Sequence, residues 1–194
     1  MKKMEKELRM MEIRAAETES DDLIVEGYAI VFDQPTMLYE YNGVKYYEVI
    51  ERGALDEADL KDVPFKYNHS DSVMIMARTR NKTLELIPDD KGLFIRANLA
   101  KTTTGKDLYE LIKRGDVDKM SFAFTVEEDE YDRETRARRI KKIAKLWNVS
   151  AVDTPAYETT SLSVRSYFEV EIEKERIALE RAARRKRLIL KTYF

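Results

Sequence analysis

Two residues of this chain are suited to joint chemistry: a lone histidine, and a serine set inside an apolar run. His69 is the single histidine of 194 residues, so any histidine chemistry passes through it. Ser121 lies in KMSFAF, residues 119–124. Read as a strand, that stretch puts Met120, Phe122, Phe124 and Val126 on one face and Ser121, Ala123 and Thr125 on the other. A serine hydroxyl is a poor nucleophile near neutral pH and needs a base within hydrogen-bond reach, itself oriented by a third group. His69 sits in KYNHSDS, after an apolar stretch and beside Asn68, Ser70 and Asp71, which reads as a strand end opening to solvent. On these residues alone the commoner accounts are a small, solvent-facing strand surface for Ser121 and an incidental side chain for His69. Catalysis needs support from the rest of the chain.

Composition narrows the alternatives. The length suits one domain with an extension, and 43% hydrophobic residues suit a globular core. The 37% of charged residues must go to a solvated surface and to at least one highly charged segment. A formal charge of -2 gives no field to recruit nucleic acid or an anionic membrane, so neither partner is expected. Cysteine is absent, which removes disulfides, thiol catalysis and thiolate zinc sites, and one histidine cannot make a histidine metal cluster. No cofactor or metal is expected. The first 22 residues hold no continuous apolar stretch, and nowhere do about 18 apolar residues run together, so neither export nor a membrane span is expected.

The elements that must position these residues are mostly short strands. Residues 12–17 and 22–32 suggest an opening hairpin across Ser20 and Asp21; Asn42-Gly43 should turn 37–41 back onto 44–50; a short helix is expected near Ala54. Strands follow at 63–69, 73–78, 83–88 and 93–99, with DDKG at 89–92 as a turn. TTTGKDLYELIKRG reads as a helix, with capping-box spacing at Thr104 and Asp107, a stripe of Leu108, Leu111 and Ile112, and Gly115 as its stop. Strands resume at 119–127 and 138–154, joined by the acidic-then-basic EEDEYDRETRARR as an exposed connection. Beyond Phe168 the chain is a highly charged helix, acids early and bases late, whose thin apolar set of Val170, Ile172, Ile177, Leu179 and Leu188 fits a helix docking on a partner or a solvated tail. The division expected is a domain at 1–165 and a helical extension at 166–194.

The order of the segments carries more than any one of them. GYAIVF, VIERGAL, KYNHSDSVMIMART, DDKGLFIRANLAKTTTGKDLYELIKRGDVDKMSFAF and LWNVSAVDTPAY, spread over residues 22–165, together resemble the prohead (capsid maturation) proteases of tailed bacteriophages, a family related in fold to the herpesvirus assemblin proteases. The resemblance implies that Ser121 is the nucleophile and His69 the general base. Two positions depart from the family pattern: Ala123 stands where glycine is frequent, and Asn148 stands where Glu or Asp usually orients the histidine. An asparagine carbonyl can hold the Nδ1 proton of His69 but supplies no charge to an imidazolium. Asp153 is the other candidate, yet it lies an odd number of residues from Asn148, which turns it to the opposite face of an unbroken strand. Asn148 ranks first, with a polar barrel-edge role as its alternative. A turn ahead of Thr154-Pro155 competes for Asp153, and Arg78 has only a loose accessory claim against a plain surface role.

The resemblance further implies an α/β (α+β) fold, a mostly antiparallel β-barrel of herpesvirus-protease type flanked by helices, plus the charged C-terminal helix. It implies a serine endopeptidase working in the host cytoplasm, inside the assembling prohead. Its substrates would be the phage major capsid protein with its scaffolding segment, with self-cleavage and self-association as further implications. A peptide substrate could add to an exposed sheet edge beside the small face of Ser121. Two other readings stay open: a catalytically inactive relative serving as an assembly or scaffolding factor, for which Asn148 would be the mark of decay, and a host-encoded hydrolase on the same fold.

Overall fold

The computed structural model describes residues 6–17, 20–153 and 157–192. Eleven strands and two α-helices are arranged as two open sheets, so the expected closed barrel is not formed among the described residues. The larger sheet runs β1 (Lys6–Glu12), β10 (Lys119–Asp132), β11 (Ala137–Val152), β5 (Val44–Ile50), β4 (Thr36–Tyr41), with β6 (Pro64–Tyr67) on β11 and β7 (Ala77–Arg78) on β6. The smaller runs β2 (Arg14–Ala15), β3 (Ile24–Val31), β9 (Gly92–Asn98), β8 (Leu84–Pro88). Pairing is antiparallel apart from β11 with β5 and β11 with β6, so the antiparallel expectation holds while closure fails.

The core forms where the apolar faces of the two sheets meet. Met120, Phe122 and Phe124 of β10 join Ile143, Leu146 and Phe65 from one sheet and Val25, Leu93 and Ile95 from the other, all essentially without solvent exposure. Helix α1 (Thr103–Arg114) buries Leu108 and Ile112 against this core. Its cap is Thr102, whose hydroxyl accepts from the Gly105 N–H at 3.2 Å, rather than Thr104. Gly115, at φ +83°, ends it as expected, because a left-handed residue there lets its N–H reach back to the last carbonyls.

Several expectations change for local physical reasons. No helix forms near Ala54: residues 52–57 make successive turns, interrupted by Gly53 at φ +91°. The opening strand is β1 at Lys6–Glu12, with only Arg14–Ala15 continuing into the second sheet, and of 73–78 only Ala77–Arg78 pairs. The acidic-basic connection is mostly strand, not loop. Glu128 pairs with Lys142 and Glu130 with Arg139 across β10 and β11, so opposite charges zip the hairpin and leave only residues 133–136 as its turn.

That hairpin also contributes to a buried ion cluster. Arg9 of β1 donates to both carboxylate oxygens of Glu48 at 2.5 Å and to Glu7 at 2.7 Å. Arg138 of β11 donates to Glu7 at 2.7 and 3.0 Å and to Asp129 at 2.6 Å. Its guanidinium lies 4.5 Å from the centre of the Tyr167 ring.

Helix α2 (Tyr157–Thr192) begins earlier than the sequence suggested and passes unbroken through position 165. Val164 and Phe168, buried, and Ile172 dock it on Tyr39, Tyr46 and Tyr131, while Val170, Leu179, Leu188 and Ile189 remain exposed. No helix among the described residues is long and apolar enough to cross a membrane.

Candidate active site

The site is built on β10, β11 and the turn after β6. Ser121 of β10 pairs with Ser150 of β11, and Ala123 pairs with Asn148. Partners directly opposite in an antiparallel pair share a face, so Ser121, Ser150, Ala123 and Asn148 lie together. A register shift beyond Ala123 leaves Trp147 as the extra residue; its indole N–H donates to the Thr125 hydroxyl at 2.7 Å, which braces the end of this row. On the far side of β11, β6 pairs in parallel at Val149–Ala151, so the chain leaving β6 delivers His69 to the same place.

The structure brings His69 and Asn148 together. Nδ1 of His69 lies 2.6 Å from Oδ1 of Asn148. A carbonyl oxygen only accepts, so Nδ1 carries the proton and Nε2 keeps a free lone pair, the tautomer a general base requires. The Ser150 hydroxyl stands 3.2 Å from Nδ1 and donates to Asn148 Oδ1 at 3.3 Å. Sequence reasoning passed over Ser150; the available signal was its two-residue spacing from Asn148, which puts both on one strand face. Burial pushes the His69 pKa below its usual range, the Asn148 hydrogen bond partly opposes that, and the Lys66 charge adds to the lowering. Lys66 itself is ion-paired with Asp71.

Ser121 is one strand away and not hydrogen-bonded to His69. Its Oγ and the Nε2 of His69 are both buried and both without a partner. Among the described residues only Tyr131 and Glu175 share that condition, and those two lie against each other where α2 meets the sheet. Each unpaired buried polar atom costs about 1–3 kcal/mol, so native chains rarely keep one without a use. The small face differs from both simple expectations: Ser121, Ala123 and Thr125 are 0, 2 and 4% exposed, so it is not a solvated strand surface. Nor can a peptide add beside Ser121, because β1 and β11 occupy both edges of β10. A substrate must reach Ser121 over the face, where Met10 of β1 stands opposite it.

The remaining candidates divide. Asp153, just past β11, accepts from Tyr67 and Asn68, while His69 takes Asn148. The turn expected at Thr154-Pro155 lies outside the described residues. Arg78 is bound by Asp62 and lines a separate cavity of about 480 Å³ with Ile75, Arg80 and Leu99, which fits the surface role. No group of three or more His, Asp or Glu among the described residues could share a metal ion.

The chain thus carries an imidazole held by an amide and, across β11, a buried strand serine, on a two-sheet α/β scaffold. Residues 9–174 match the caudovirus prohead serine protease family, and the chain belongs to it. It is 28% identical over 144 residues to the prohead protease of Enterobacteria phage HK97, a stretch covering 72% of this chain and 59% of that relative. The match thus spans less than two thirds of the relative's length. In fold it is similar to the bacteriophage T4 capsid assembly protease gp21, at 14% identity and a TM-score of 0.50, over 78% of this chain and 99% of that one. The family match ends inside α2, at Lys174.

Proposed function

We propose that the chain is a serine endopeptidase of capsid maturation, cutting the major capsid protein and its scaffolding segment inside the assembling prohead, with the chain itself as a further substrate. The observation that carries this reading is the pairing of orphans: a histidine fixed in the base-competent tautomer by Asn148, and a buried hydroxyl one strand away, neither reacting atom satisfied. In the reaction His69 Nε2 takes the Ser121 proton as Oγ attacks the peptide carbonyl carbon, forming a tetrahedral intermediate. The resulting imidazolium then gives that proton to the leaving amine as the C–N bond breaks, leaving an acyl-serine that water hydrolyses by the same relay. Hydrogen bonds of this kind are commonly long in unliganded enzymes and tighten when substrate binds. Asn148 and Ser150 hold the ring throughout.

Co-expression with the phage capsid protein, followed by intact-mass spectrometry, tests the reading. One discrete truncation with the wild-type chain, absent with Ser121→Ala, is the expected outcome. A capsid protein left whole by both would instead favour the assembly-factor reading, whose support is the amide at Asn148 and the unmade Ser121–His69 bond.

Asn148→Asp separates orientation from charge. The base must be neutral, and burial holds the His69 pKa down, so the rate should stay level across neutral pH and fall only as pH drops below about 6.5. A carboxylate at 148 would stabilise the imidazolium and raise that pKa. The rate at pH 8 should therefore hold or rise, up to roughly tenfold, while the acid limb moves to higher pH. A large loss at pH 8, or an unmoved limb, would mean that Asn148 does not orient His69.

A further inference from the structure

Asn68 and His69 are consecutive non-glycine residues in the left-handed region, at φ +50° and +52°. Side chains disfavour that conformation, and it persists only where the surroundings hold it. Two main-chain bonds help: Asn68 N–H to the Ala151 carbonyl at 2.9 Å and Ser70 N–H to the Tyr67 carbonyl at 3.0 Å. The rest comes from Asp153. One carboxylate oxygen accepts from the Tyr67 hydroxyl at 2.6 Å, the other from the Asn68 amide at 3.0 Å, and the Asp153 N–H donates back to the Asn68 side-chain carbonyl at 3.2 Å. Asp153 directly follows β11, the strand carrying Asn148 and Ser150.

We propose that Asp153 is a positioning residue for His69: by clamping Tyr67 and Asn68 to the end of β11, it locks the double left-handed turn that keeps Nδ1 of the imidazole on Asn148. Asp153, the second candidate behind the histidine in the sequence, acts at one remove, through the residue before it. Tyr67 reflects the same contact, its hydroxyl held protonated above the usual range chiefly by the hydrogen bond to Asp153. Among the described residues the charge acting on the ring is Lys66 from β6; its partner Asp71, in the following loop, also feels Lys6 of β1, and Asp153 lies beyond Asn68. The catalytic meaning of the clamp rests on the peptidase reading; its effect on the ring does not.

With one histidine in the chain, the imidazole resonances are unambiguous in an NMR spectrum of the whole protein. The wild type should show the neutral Nδ1-protonated tautomer. Asp153→Ala should mix the tautomers and move the His69 pKa up towards 6.5, as the ring gains water. Its kcat on a peptide spanning the capsid cut site should fall roughly tenfold to hundredfold, with KM changed less than about twofold. Asn68→Gly keeps the left-handed backbone accessible but removes the clamp, and should reproduce both effects. Asp153→Asn retains an acceptor and should lie between; if Asp153→Ala does not fold, this variant and Asn68→Gly carry the test. Wild-type tautomer and pKa in the clamp variants would overturn the proposal. A wild type that cuts nothing would count against the peptidase reading, and the imidazole spectra would still decide on the clamp.

Discussion

Ser121→Ala is expected to lower the rate of capsid-peptide cleavage by roughly 10⁴-fold or more, because removing the proposed nucleophile of a serine–histidine relay leaves only binding and electrostatic stabilisation. The same substitution should make the protein more stable. The Ser121 hydroxyl is fully buried with no hydrogen-bond partner, so alanine deletes an unsatisfied polar group of little volume, which favours folding by about 1 kcal/mol. Loss of rate together with a higher melting temperature is the signature of a residue kept for reaction rather than for folding. A structural serine would give the opposite pair of results. Single-turnover kinetics on the cut-site peptide and thermal unfolding of the same preparations measure both halves.

Arg138→Ala should be the most destabilising single change. It takes from half-buried Asp129 its guanidinium partner and leaves buried Glu7 and Glu48 to share Arg9 alone, and removing one partner from a buried ion network costs about 3–5 kcal/mol. Small domains are stable by only about 5–15 kcal/mol, so urea unfolding should shift far enough to be visible without fitting. Replacing the group as a unit is different: Arg138→Met with Glu7→Gln removes two of the charges together and should recover much of the loss. Acidity probes the same cluster. Burial alone would push the Glu7 carboxyl up, but Arg138 and Arg9 outweigh it and hold it below the usual range. A depressed folded-state pKa means that the contribution is fully present above the unfolded value near 4.3 and is lost as pH falls below it. Stability between pH 5 and 3 should therefore fall less steeply in the double variant than in the wild type.

Much of the scaffold was legible because its signals are local. Asn42-Gly43, with φ of +51° and +77°, joins β4 to β5 as the dipeptide requires, and Asp89–Gly92 turns β8 into β9. Period-two patterning put Met120, Phe122 and Phe124 on the core face of β10, and Leu108 and Ile112 faced the core from α1. Failures came where distant groups overrode local preference. The charged run after Val126 looked like a loop until its acids met its bases across the hairpin, and Asp129 and Arg138 went into a buried cluster whose other members, Glu7, Arg9 and Glu48, lie far away in the chain.

At the site the division is sharper. The residue types alone determined that His69 must be the base if there is one, that no thiol or thiolate-metal chemistry is available, and that Ser121 shares its strand face with the small Ala123 and Thr125. Only the tertiary structure decided that Asn148, and not Asp153, meets Nδ1, that Ser150 completes the group, and that both edges of β10 are filled. The reason is physical: strand pairing and the register shift at Trp147 set which side chains share a face, and a left-handed turn at Asn68–His69 aims the ring. Sequence periodicity encodes neither.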